Sequence, residues 1–469
     1  MLVLKPYPAT KDSGVSWLGE VPEHWEVLPA LAAYKPKLVK NAAMAEKTVL
    51  SLSYGHIIVK PPEKLRGLVP KSFETYQIVE PGDIIIRTTD LQNDHTSLRI
   101  GHSKNRGIIT AAYMCLKTTD RISNEFGYQF LNTYDLLKII YGFGSGLRQN
   151  LAFVDIKRMP VLVPPKDEQA AIVRFLDHYD RKIRRYIRAK QKLIKLLEEQ
   201  KQAIIHHAVT RGLDPNVRLK PSGEDWLGKI PEHWEIKRNG RLFAQRNQTG
   251  FGDLPVLEVS LKTGVRIRDF DNSIRKQVMA DREKYKRAVK GDIAYNMMRM
   301  WQGAVGVAPV DGLVSPAYVV ARPFKGIDVR YFVNLFRTSA YMREVDSCSR
   351  GIVKDRNRLY WEDFKQISSP YPQLIEQIRI AEAIDKKTRT INDGIERMLA
   401  EIDLLREYRT RLIADVVTGK LDVREAAAQL PGDSEEPELV EEIEEQVEGE
   451  EETEEAELAM ASEETILAD

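Results

Sequence analysis

The sequence predicts an α+β protein built from two copies of one unit, each a globular domain of short strands leading into one long helix. The segment WLGEVPEHWEV at 17–27 returns as WLGKIPEHWEI at 226–236, with eight of eleven letters identical. Apolar positions at heptad spacing recur towards the end of each half, a pattern typical of long helices that pack on another helix. A chain of 469 residues is also too long for one hydrophobic core.

The repeat extends along the body of the chain. Gly82-Asp83 returns as Gly291-Asp292 at an offset of 209, and Glu168-Gln169 returns as Glu376-Gln377 at an offset of 208. The offset drifts between these landmarks, as expected where surface loops take insertions at small cost. We interpret the body as a tandem duplication of a unit of about 208 residues.

Each unit ends in a predicted helix. Apolar or long-stemmed side chains advance by steps of mostly four and three at 172, 176, 179, 183, 187, 190, 194, 197, 204 and 208, and again at 384, 388, 391, 395, 398, 402, 405, 409, 412 and 416. At 1.5 Å per residue each helix would be roughly 63 Å long. We expect the two helices to form an antiparallel coiled-coil spacer with pseudo-twofold symmetry; pairing between molecules is the alternative.

Turn and cap signals give the domain boundaries. Pro164-Pro165 and Asp167 precede the first helix, and Gly212 and Gly419 follow the two helices. The predicted divisions are a first globular domain at 1–165, a central helix at 166–213, a second globular domain at 214–373, a distal helix at 374–424 and an acidic tail at 425–469.

Charge is unevenly distributed along the chain. The net charge is +1, but 18 of the 69 acidic residues lie in 433–469, and no Lys or Arg follows Arg424. The remainder carries 70 basic against 51 acidic residues, a net charge of +19, which favours a polyanionic partner such as nucleic acid. We interpret the tail as a disordered, solubilising segment; the alternative is an intramolecular competitor for the basic surface.

Other sequence features limit the class of protein. The opening residues contain only a four-residue apolar stretch before Lys5, and no stretch has the length and apolarity of a membrane helix. The two cysteines, Cys115 and Cys348, match neither a disulfide framework nor a zinc cluster. We therefore expect a soluble, cytoplasmic protein that does not bind membranes.

The sequence shows no set of catalytic or metal-binding residues. The glycines of YGFGSGLRQ lack the strand and helix that a nucleotide-binding loop needs, and no G-x-x-x-x-G-K-[ST] loop occurs. An amino-methyltransferase would need an Asp/Asn-Pro-Pro-aromatic tetrapeptide, which is also missing. We interpret His24 and His233 as turn residues that pack on the neighbouring tryptophans. The chain is therefore predicted to be no enzyme, with no metal and no cofactor of its own.

The divergent middle of each unit has the side chains of a DNA-reading protein. Arg, Asn and Gln form the bidentate hydrogen bonds that distinguish guanine and adenine edges. The candidate DNA-binding residues are Arg87, Thr88, Gln92, Asn93, Lys104, Asn105, Arg106 and Arg148 in the first unit, and Arg266, Arg268, Asn296, Arg299, Trp301, Gln302 and Arg356 in the second. Arg148 and Arg356 recur between the copies, which favours phosphate positioning or a structural role.

These features together resemble the specificity subunit of type I restriction–modification systems. The resemblance rests on the paired WLG-(E/K)-(V/I)-PEHWE segments, the GD-I and SPAY elements, the VPPKDEQAAI lead-in to the first helix and the VTRGLD and VTGKLD endings. It covers about 12–424, and the acidic tail departs from the family pattern.

The resemblance implies a recognition role without catalysis. In that family, two target-recognition domains each read one half of a bipartite double-stranded DNA sequence, and two methylation subunits dock on the repeated regions. S-adenosylmethionine binds to those partners, and two restriction subunits, where present, use ATP and Mg. Because the two middles differ here, we expect an asymmetric target. A coiled-coil scaffold without specific DNA reading is the alternative, and a self-sufficient restriction–methylation enzyme would need the missing catalytic motifs.

Overall fold

A computed structural model describes residues 4–61, 72–89, 91, 98–143, 150–261, 263–268, 282–351 and 357–431. The chain divides into two compact units, one formed by 1–189 with 401–469 and the other by 190–400. Gln92, Asn93, Arg148, Arg356 and nearly all of the acidic tail lie outside the described residues. The described residues mix helices with short antiparallel strands, which confirms the predicted α+β class.

The first unit begins with a globular domain of short strands and leads into a long helix. Its strands are Thr10–Asp12 (β1), Glu20–Pro22 (β2), Glu26–Pro29 (β3), Tyr34–Lys37 (β4), Leu50–Ser53 (β5), His56–Val59 (β6), Gln77–Val79 (β7), Ile84–Ile86 (β8), Ile100–His102 (β9), Gly107–Ile109 (β10), Met114–Thr118 (β11) and Pro160–Val163 (β12). Its helices are Ala30–Ala33 (α1), Asn124–Leu136 (α2), Phe153–Ile156 (α3) and Lys166–Arg211 (α4), of which α4 continues into the second unit.

The second unit repeats this series. Its strands are Leu219–Pro221 (β13), Lys229–Pro231 (β14), Glu235–Arg238 (β15), Phe243–Arg246 (β16), Leu257–Ser260 (β17), Gly264–Ile267 (β18), Lys286–Ala288 (β19), Ile293–Asn296 (β20), Val305–Val307 (β21), Gly312–Val314 (β22), Tyr318–Pro323 (β23) and Ser368–Tyr371 (β24). Its helices are Val329–Phe336 (α5), Ser339–Cys348 (α6), Trp361–Phe364 (α7) and Leu374–Val417 (α8), which continues into the first unit, where Arg424–Ala428 (α9) follows.

The described sheets of the two units match one for one. The four-stranded sheet has the order β4-β11-β8-β9 in the first unit and β16-β23-β20-β21 in the second. The two-stranded sheets correspond in the same way, with β1-β2, β3-β12, β5-β6 and β7-β10 answering to β13-β14, β15-β24, β17-β18 and β19-β22. The two globular domains therefore share one strand topology.

The same close backbone approach occurs in both domains. A Cβ atom on Gly101 of β9 would lie 2.6 Å from a side-chain carbon of Leu52 in the β5-β6 hairpin, and one on Gly306 of β21 would lie 2.5 Å from the backbone nitrogen of Val265 in β17-β18. Only glycine leaves room for the hairpin at either edge strand.

The second tryptophan of each repeated segment lies in the main hydrophobic core of its unit. The side chains of Trp25 and Trp234 are both 0 % exposed. Trp25 belongs to the same core as Val416 and Val417 from the end of α8, whereas Trp234 packs in the core that contains Val209 from the end of α4. The repetition of these segments therefore serves packing between each globular domain and the end of a long helix.

The repeated Glu-Gln pair binds each long helix to its domain. The buried Gln169 side chain accepts a hydrogen bond from the Ser123 amide at 2.8 Å and donates to the Pro164 carbonyl at 2.8 Å. Gln377 accepts from the Asp328 amide at 2.9 Å and donates to the Pro372 carbonyl at 2.8 Å. Each glutamine thus ties the first turn of its long helix to the chain just before it and to the residue that caps α2 or α5.

The adjacent glutamates explain the repeated histidines. His24 Nε2 lies 2.8 Å from a carboxylate oxygen of Glu168, and His233 Nε2 lies 2.9 Å from one of Glu376. The sequence predicts that these histidines pack on the tryptophans. His233 does contact Trp234, at 6.4 Å between ring centroids, but the hydrogen-bond partner of each imidazole is the glutamate at the start of the long helix.

The heptad positions of both helices are covered. All the predicted seam residues of α8 from 384 to 416 are buried or half-buried, whereas the residues between 384 and 409 that lie off the seam are exposed, apart from the half-buried Gly394. In the first unit, Arg409 of α8 forms an ion pair with Asp180 of α4. In the second unit, Lys201 Nζ donates to Asn392 Oδ1 at 3.3 Å. Among the described residues, no helix has the length and apolarity needed to cross a membrane.

Replacing the buried amide at the first junction should destabilise the first unit. In Gln169→Leu, the Ser123 amide and the Pro164 and Arg121 carbonyls lose their partner, and unpaired buried groups cost about 1–3 kcal/mol each. We expect scanning calorimetry to show a Tm lower by about 5 °C or more. Gln200→Leu, on the exposed surface of α4, is the control, and equal shifts for the two variants would contradict this role.

Candidate nucleic-acid interface

The DNA-reading candidates of the two domains lie mainly on equivalent loops. The β8-β9 loop carries Arg87 and Thr88, and the β20-β21 loop carries Arg299, Trp301 and Gln302. The two loops leave the same strand of the matching four-stranded sheets and return to the same edge strand. The candidates on these two loops therefore occupy equivalent positions in the two domains.

A second segment joins each loop at its base. The Leu151 amide donates to the Thr88 carbonyl at 2.9 Å, and the Leu359 amide donates to the Met297 carbonyl at 2.9 Å. Leu151 and Leu359 follow the repeated arginines Arg148 and Arg356 by three residues each. Each candidate loop is thus paired with the chain that comes just after the repeated arginine, although the two arginines themselves lie outside the described residues.

Arg99, which is not among the residues predicted from the sequence, supports the β8-β9 loop from the interior of the domain. This arginine is 0 % exposed; its Nη1 donates to the Thr89 carbonyl at 2.7 Å, and its Nε donates to the Tyr141 hydroxyl at 3.0 Å. The backbone amide of Arg99 donates to the buried carboxylate of Asp135, whose pKa is raised by burial. Arg99 therefore fixes the carbonyls at the base of the loop.

The other first-unit candidates differ in exposure. Arg87 is half-buried, and Thr88 is buried with its hydroxyl donating to the Ala112 carbonyl at 2.7 Å. Lys104 and Asn105 lie on the exposed β9-β10 turn. Arg106, on the same turn, is 57 % exposed and lies 3.3 Å from Glu46 and 3.3 Å from Glu80. A phosphate would have to compete with two carboxylates for Arg106.

The second loop is fixed by its own hydrogen bonds. The buried Asn296 accepts from the Met298 amide at 2.9 Å, and Trp301 Nε1 donates to the Met298 carbonyl at 2.9 Å. These bonds engage the Asn296 oxygen and the indole N–H inside the domain. Arg299 remains half-buried and Gln302 exposed, so these two side chains are the ones that the loop presents.

The remaining candidates lie on the β17-β18 hairpin. Arg266 of β18 is 61 % exposed and forms an ion pair with Glu258 of β17. Arg268 is half-buried just after β18, and its backbone amide donates to the Val256 carbonyl at 2.9 Å. This hairpin packs on β21, the strand to which the second candidate loop returns.

The repeated Gly-Asp element is structural. Asp83 pairs with Lys37 of β4 and accepts from the Glu80 amide at 2.7 Å. Asp292 accepts from Arg246 Nε of β16 at 2.6 Å and from the Val289 amide at 2.9 Å. Both carboxylates are buried and satisfied. In the part of the chain that the structure describes, no group of three or more potential metal ligands occurs.

His56 of the β5-β6 hairpin faces the helices of the first unit. Burial is the largest cause that lowers the pKa of its imidazole, to about 4; the positive charges of Arg184, Arg409 and Lys104 act in the same direction. Asp180 opposes them, but it is paired with both Arg184 and Arg409. The His56 side chain is therefore neutral where the hairpin packs beside the charged residues Asp180, Arg184 and Arg409.

Comparison with known proteins identifies several to which the chain is similar. Residues 41–196 match the family described as the type I restriction modification DNA specificity domain. The specificity subunit of the type I restriction enzyme MjaX from Methanocaldococcus jannaschii is 21 % identical over 90 % of this chain and 100 % of its own length.

Two solved structures are also similar. A chain from a structure of a type I restriction–modification system, covering 86 % of this chain and 99 % of its own, has a TM-score of 0.59 at 14 % identity, which shows a shared fold. The HsdS subunit from Thermoanaerobacter tengcongensis covers 86 % and 98 % with a TM-score of 0.44 at 14 % identity. The family match and the MjaX relative confirm the resemblance to specificity subunits of type I restriction–modification systems.

The low pKa of His56 predicts acid sensitivity. Because its folded pKa of about 4 lies below the ordinary 6.5, the unfolded chain takes up the proton first, and stability is lost as the pH falls from about 6.5 to about 4. The loss is on the order of 2–3 kcal/mol. We expect His56→Gln to lose less stability than the parent over this window in urea unfolding. His207→Gln on exposed α4 is the control, and parallel curves for His56→Gln and the parent would refute this cause.

Proposed function

We propose that the chain is the non-catalytic DNA-recognition subunit of a cytoplasmic type I restriction–modification complex, and that it reads an asymmetric bipartite target. The observation that carries the proposal is the pair of equivalent loops with different side chains. The frame of the loops is the same in both domains, whereas the presented groups change. The first domain has Arg87 on the β8-β9 loop and Lys104 and Asn105 on the β9-β10 turn, and the second has Arg299 and Gln302 on the β20-β21 loop. Two domains that share a fold but present different side chains to DNA would recognise two different half-sites.

The charge of the chain supports DNA as the partner. Outside the acidic tail the net charge is +19, enough to neutralise many phosphates and make binding steeply salt-dependent. Ion pairs such as Arg106 with Glu46 and Arg266 with Glu258 hold cations near the candidate loops until phosphates compete for them. We assign such residues to positioning on the backbone and the presented Arg, Asn and Gln side chains to base reading.

We further propose a tandem duplication whose two helices form an antiparallel coiled-coil spacer. The matching sheet orders and the buried heptad positions support it. So do the two interhelical contacts: from Asp180–Arg409 to Lys201–Asn392, the α4 partner advances by 21 residues while the α8 partner goes back by 17. Opposite progress along the two helices is what antiparallel pairing requires.

The repeated surfaces are the proposed docking sites for two methylation subunits and, where present, two restriction subunits. One of the similar structures concerns complex assembly of a type I system, which agrees with this assignment. S-adenosylmethionine, ATP and Mg would bind to those partners. This chain would supply only the choice of sequence and the geometry that places the partners on it.

The proposal is tested by methylation in a host that lacks the system. The chain is expressed with a methylation subunit from the same organism, and the genome is sequenced by a single-molecule method that detects N6-methyladenine. We expect methylation at one split motif with a fixed gap only when both proteins are present. Methylation by this chain alone, or methylation unchanged by its deletion, would refute the proposed role.

Changing the second loop should alter one half of the motif. In Arg299→Ala with Gln302→Ala, the groups that the β20-β21 loop presents are lost, and each good bidentate contact is worth about 1–3 kcal/mol of discrimination. We expect the methylated motif to relax in one half only. Arg397→Ala on the exposed face of α8 should leave both halves intact, and relaxation of both halves by the loop variant would contradict the assignment.

Lengthening the helices should change the gap. One heptad inserted into both α4 and α8 adds about 10 Å to each helix, which corresponds to about three base pairs. We expect the sequenced motif to keep both halves and to gain two or three bases between them. An altered half-site with an unchanged gap would rule out the spacer role.

A further inference from the structure

The connection between β4 and β5 exposes apolar side chains in the first domain. Leu38 is 63 % exposed, Val39 47 % and Met44 37 %, and the three alanines of the stretch 38–45 are exposed as well. Single exposed apolar residues are common on protein surfaces, but a concentration of them indicates a binding surface. We call residues 38–45 the apolar loop.

The apolar loop holds two of its side chains on a left-handed backbone. Ala43 has a φ of 56° and Met44 a φ of 51°, a region that is unfavourable for residues with a Cβ atom. In the equivalent connection of the second domain, between β16 and β17, the residue with a positive φ is a glycine, Gly250 at 85°. The first domain thus keeps side chains where glycine would be less strained, and residues held in this way cluster at functional sites.

Two polar residues fix the conformation of the apolar loop. The Asn41 side chain is buried; its Nδ2 donates to the Glu46 carbonyl at 2.9 Å, and its Oδ1 accepts from the Glu46 amide at 2.9 Å. One carboxylate oxygen of Glu46 accepts from the Lys47 and Thr48 amides, each at 2.9 Å. These bonds close the backbone of 41–46 into a turn. The exposed side chains of the turn are therefore pre-organised for a partner.

The apolar loop is joined to the β9-β10 turn, which carries the DNA-reading candidates 104–106. Arg106 Nε of that turn lies 3.3 Å from a carboxylate oxygen of Glu46, the residue that closes the loop. Just beyond the turn, the Ile108 amide donates to the Thr48 carbonyl at 2.8 Å. A duplex bound by the turn would therefore lie close to the apolar loop.

Two lysines flank the exposed apolar side chains. Lys40 lies within the apolar loop and Lys47 just after it, and both are exposed. Among the residues that the structure describes, neither ammonium group forms an ion pair. Phosphates flank the base edges of duplex DNA, so an apolar centre with a cation on each side is complementary to it. The core of a protein–protein interface, in contrast, is depleted in lysine, and this surface contains one in its middle.

The shared fold does not require an exposed apolar surface at this place. In the β16-β17 connection of the second domain, Phe251 and Leu254 are partly buried against the small core that contains Tyr285. Gln248 and Thr249 are exposed in the same connection. The apolar loop is therefore a feature of the first domain alone, as expected for a group that contributes to one half of an asymmetric target.

We propose that the apolar loop contacts bases of double-stranded DNA at the half of the target that the first domain reads. Leu38 and Met44 pack on the apolar surface of the bases, and Lys40 and Lys47 bind the phosphates on either side. Apolar side chains are used in this way against thymine methyl groups and as wedges at base steps. The inference rests on the proposed function and adds an apolar contact to the polar groups of the first domain.

The direct test is photo-cross-linking in the assembled complex. The photoreactive residue p-benzoylphenylalanine replaces Met44 in the full chain, which is combined with a methylation subunit from the same organism and irradiated with sheared genomic DNA. We expect covalent DNA adducts after denaturation, at a yield several-fold above that of the same replacement at Leu404. Leu404 of α8 is the matched control because it is an apolar residue that is 64 % exposed. Adducts to the methylation subunit in place of DNA would overturn the proposal in favour of a protein partner.

A second position separates failure of this proposal from failure of the proposed function. Asn105, exposed on the β9-β10 turn, receives the same photoreactive residue. DNA adducts at position 105 without adducts at position 44 would overturn the contact of the apolar loop and leave DNA recognition in place. Absence of adducts at both positions, in a complex that also retains no DNA on a filter, would refute the proposed function itself.

The salt dependence of DNA binding separates the apolar contact from the charged ones. Met44→Gln should weaken binding by about tenfold with an unchanged slope of log Kd against log salt concentration, because methionine releases no counterion. Lys40→Gln combined with Lys47→Gln should reduce that slope by about two. Thr249→Gln, in the exposed part of the β16-β17 connection, is the control and should change neither quantity. Unchanged affinity of Met44→Gln, or an equal loss in Thr249→Gln, would overturn the proposal.

Discussion

The rest of the structure depends on the junction between each globular domain and its long helix. A helix more than 40 residues long can set the position of a distant loop only if its first turn is fixed to the domain that bears the loop. Gln169 and Gln377 provide this fixation because each side-chain amide binds both the chain just before the long helix and the N-terminal cap of a shorter helix in the domain. The neighbouring glutamates add His24 and His233, so the tryptophan segment is attached at the same place.

The junction is the same in both domains, whereas the loops at the edge of the four-stranded sheet carry different side chains. The edge loops are supported in different ways in the two domains. In the first, a buried arginine, Arg99, reaches the loop carbonyls from below; in the second, Asn296 and Trp301 close the loop on itself. The same strand order thus accommodates two different sets of hydrogen bonds beneath the loop, and the two loops expose different polar side chains.

The sequence predicted the parts of the molecule that repeat. Identical letters at fixed offsets indicated two domains of one design, and their described sheets have matching strand orders. Heptad spacing indicated the long helices and their covered face, which Thr388 and Ile395 illustrate by being buried. It did not predict the His24–Glu168 contact or the role of Arg99, because both depend on residues brought together over long separations. Burial of Thr88 and Asn296 was also hidden, since a polar residue beside a turn has the same letters whether it faces solvent or the interior.

The first unit is assembled from two segments far apart in the sequence, 1–189 and 401–469, and this affects the order in which the units can fold during translation. Its core includes Trp25 from near the beginning of the chain and Val416, Val417 and Val423 from near the end, and Lys5 forms a backbone bridge with Asp422. All residues of the second unit, 190–400, are therefore translated between the two parts of the first. On the ribosome the second unit can form its core before the last parts of the first unit, the segment around Asp422 and the helix α9, have been synthesised. The domain that begins first is completed last, and its unfinished core is the one exposed to chaperones and proteases during translation.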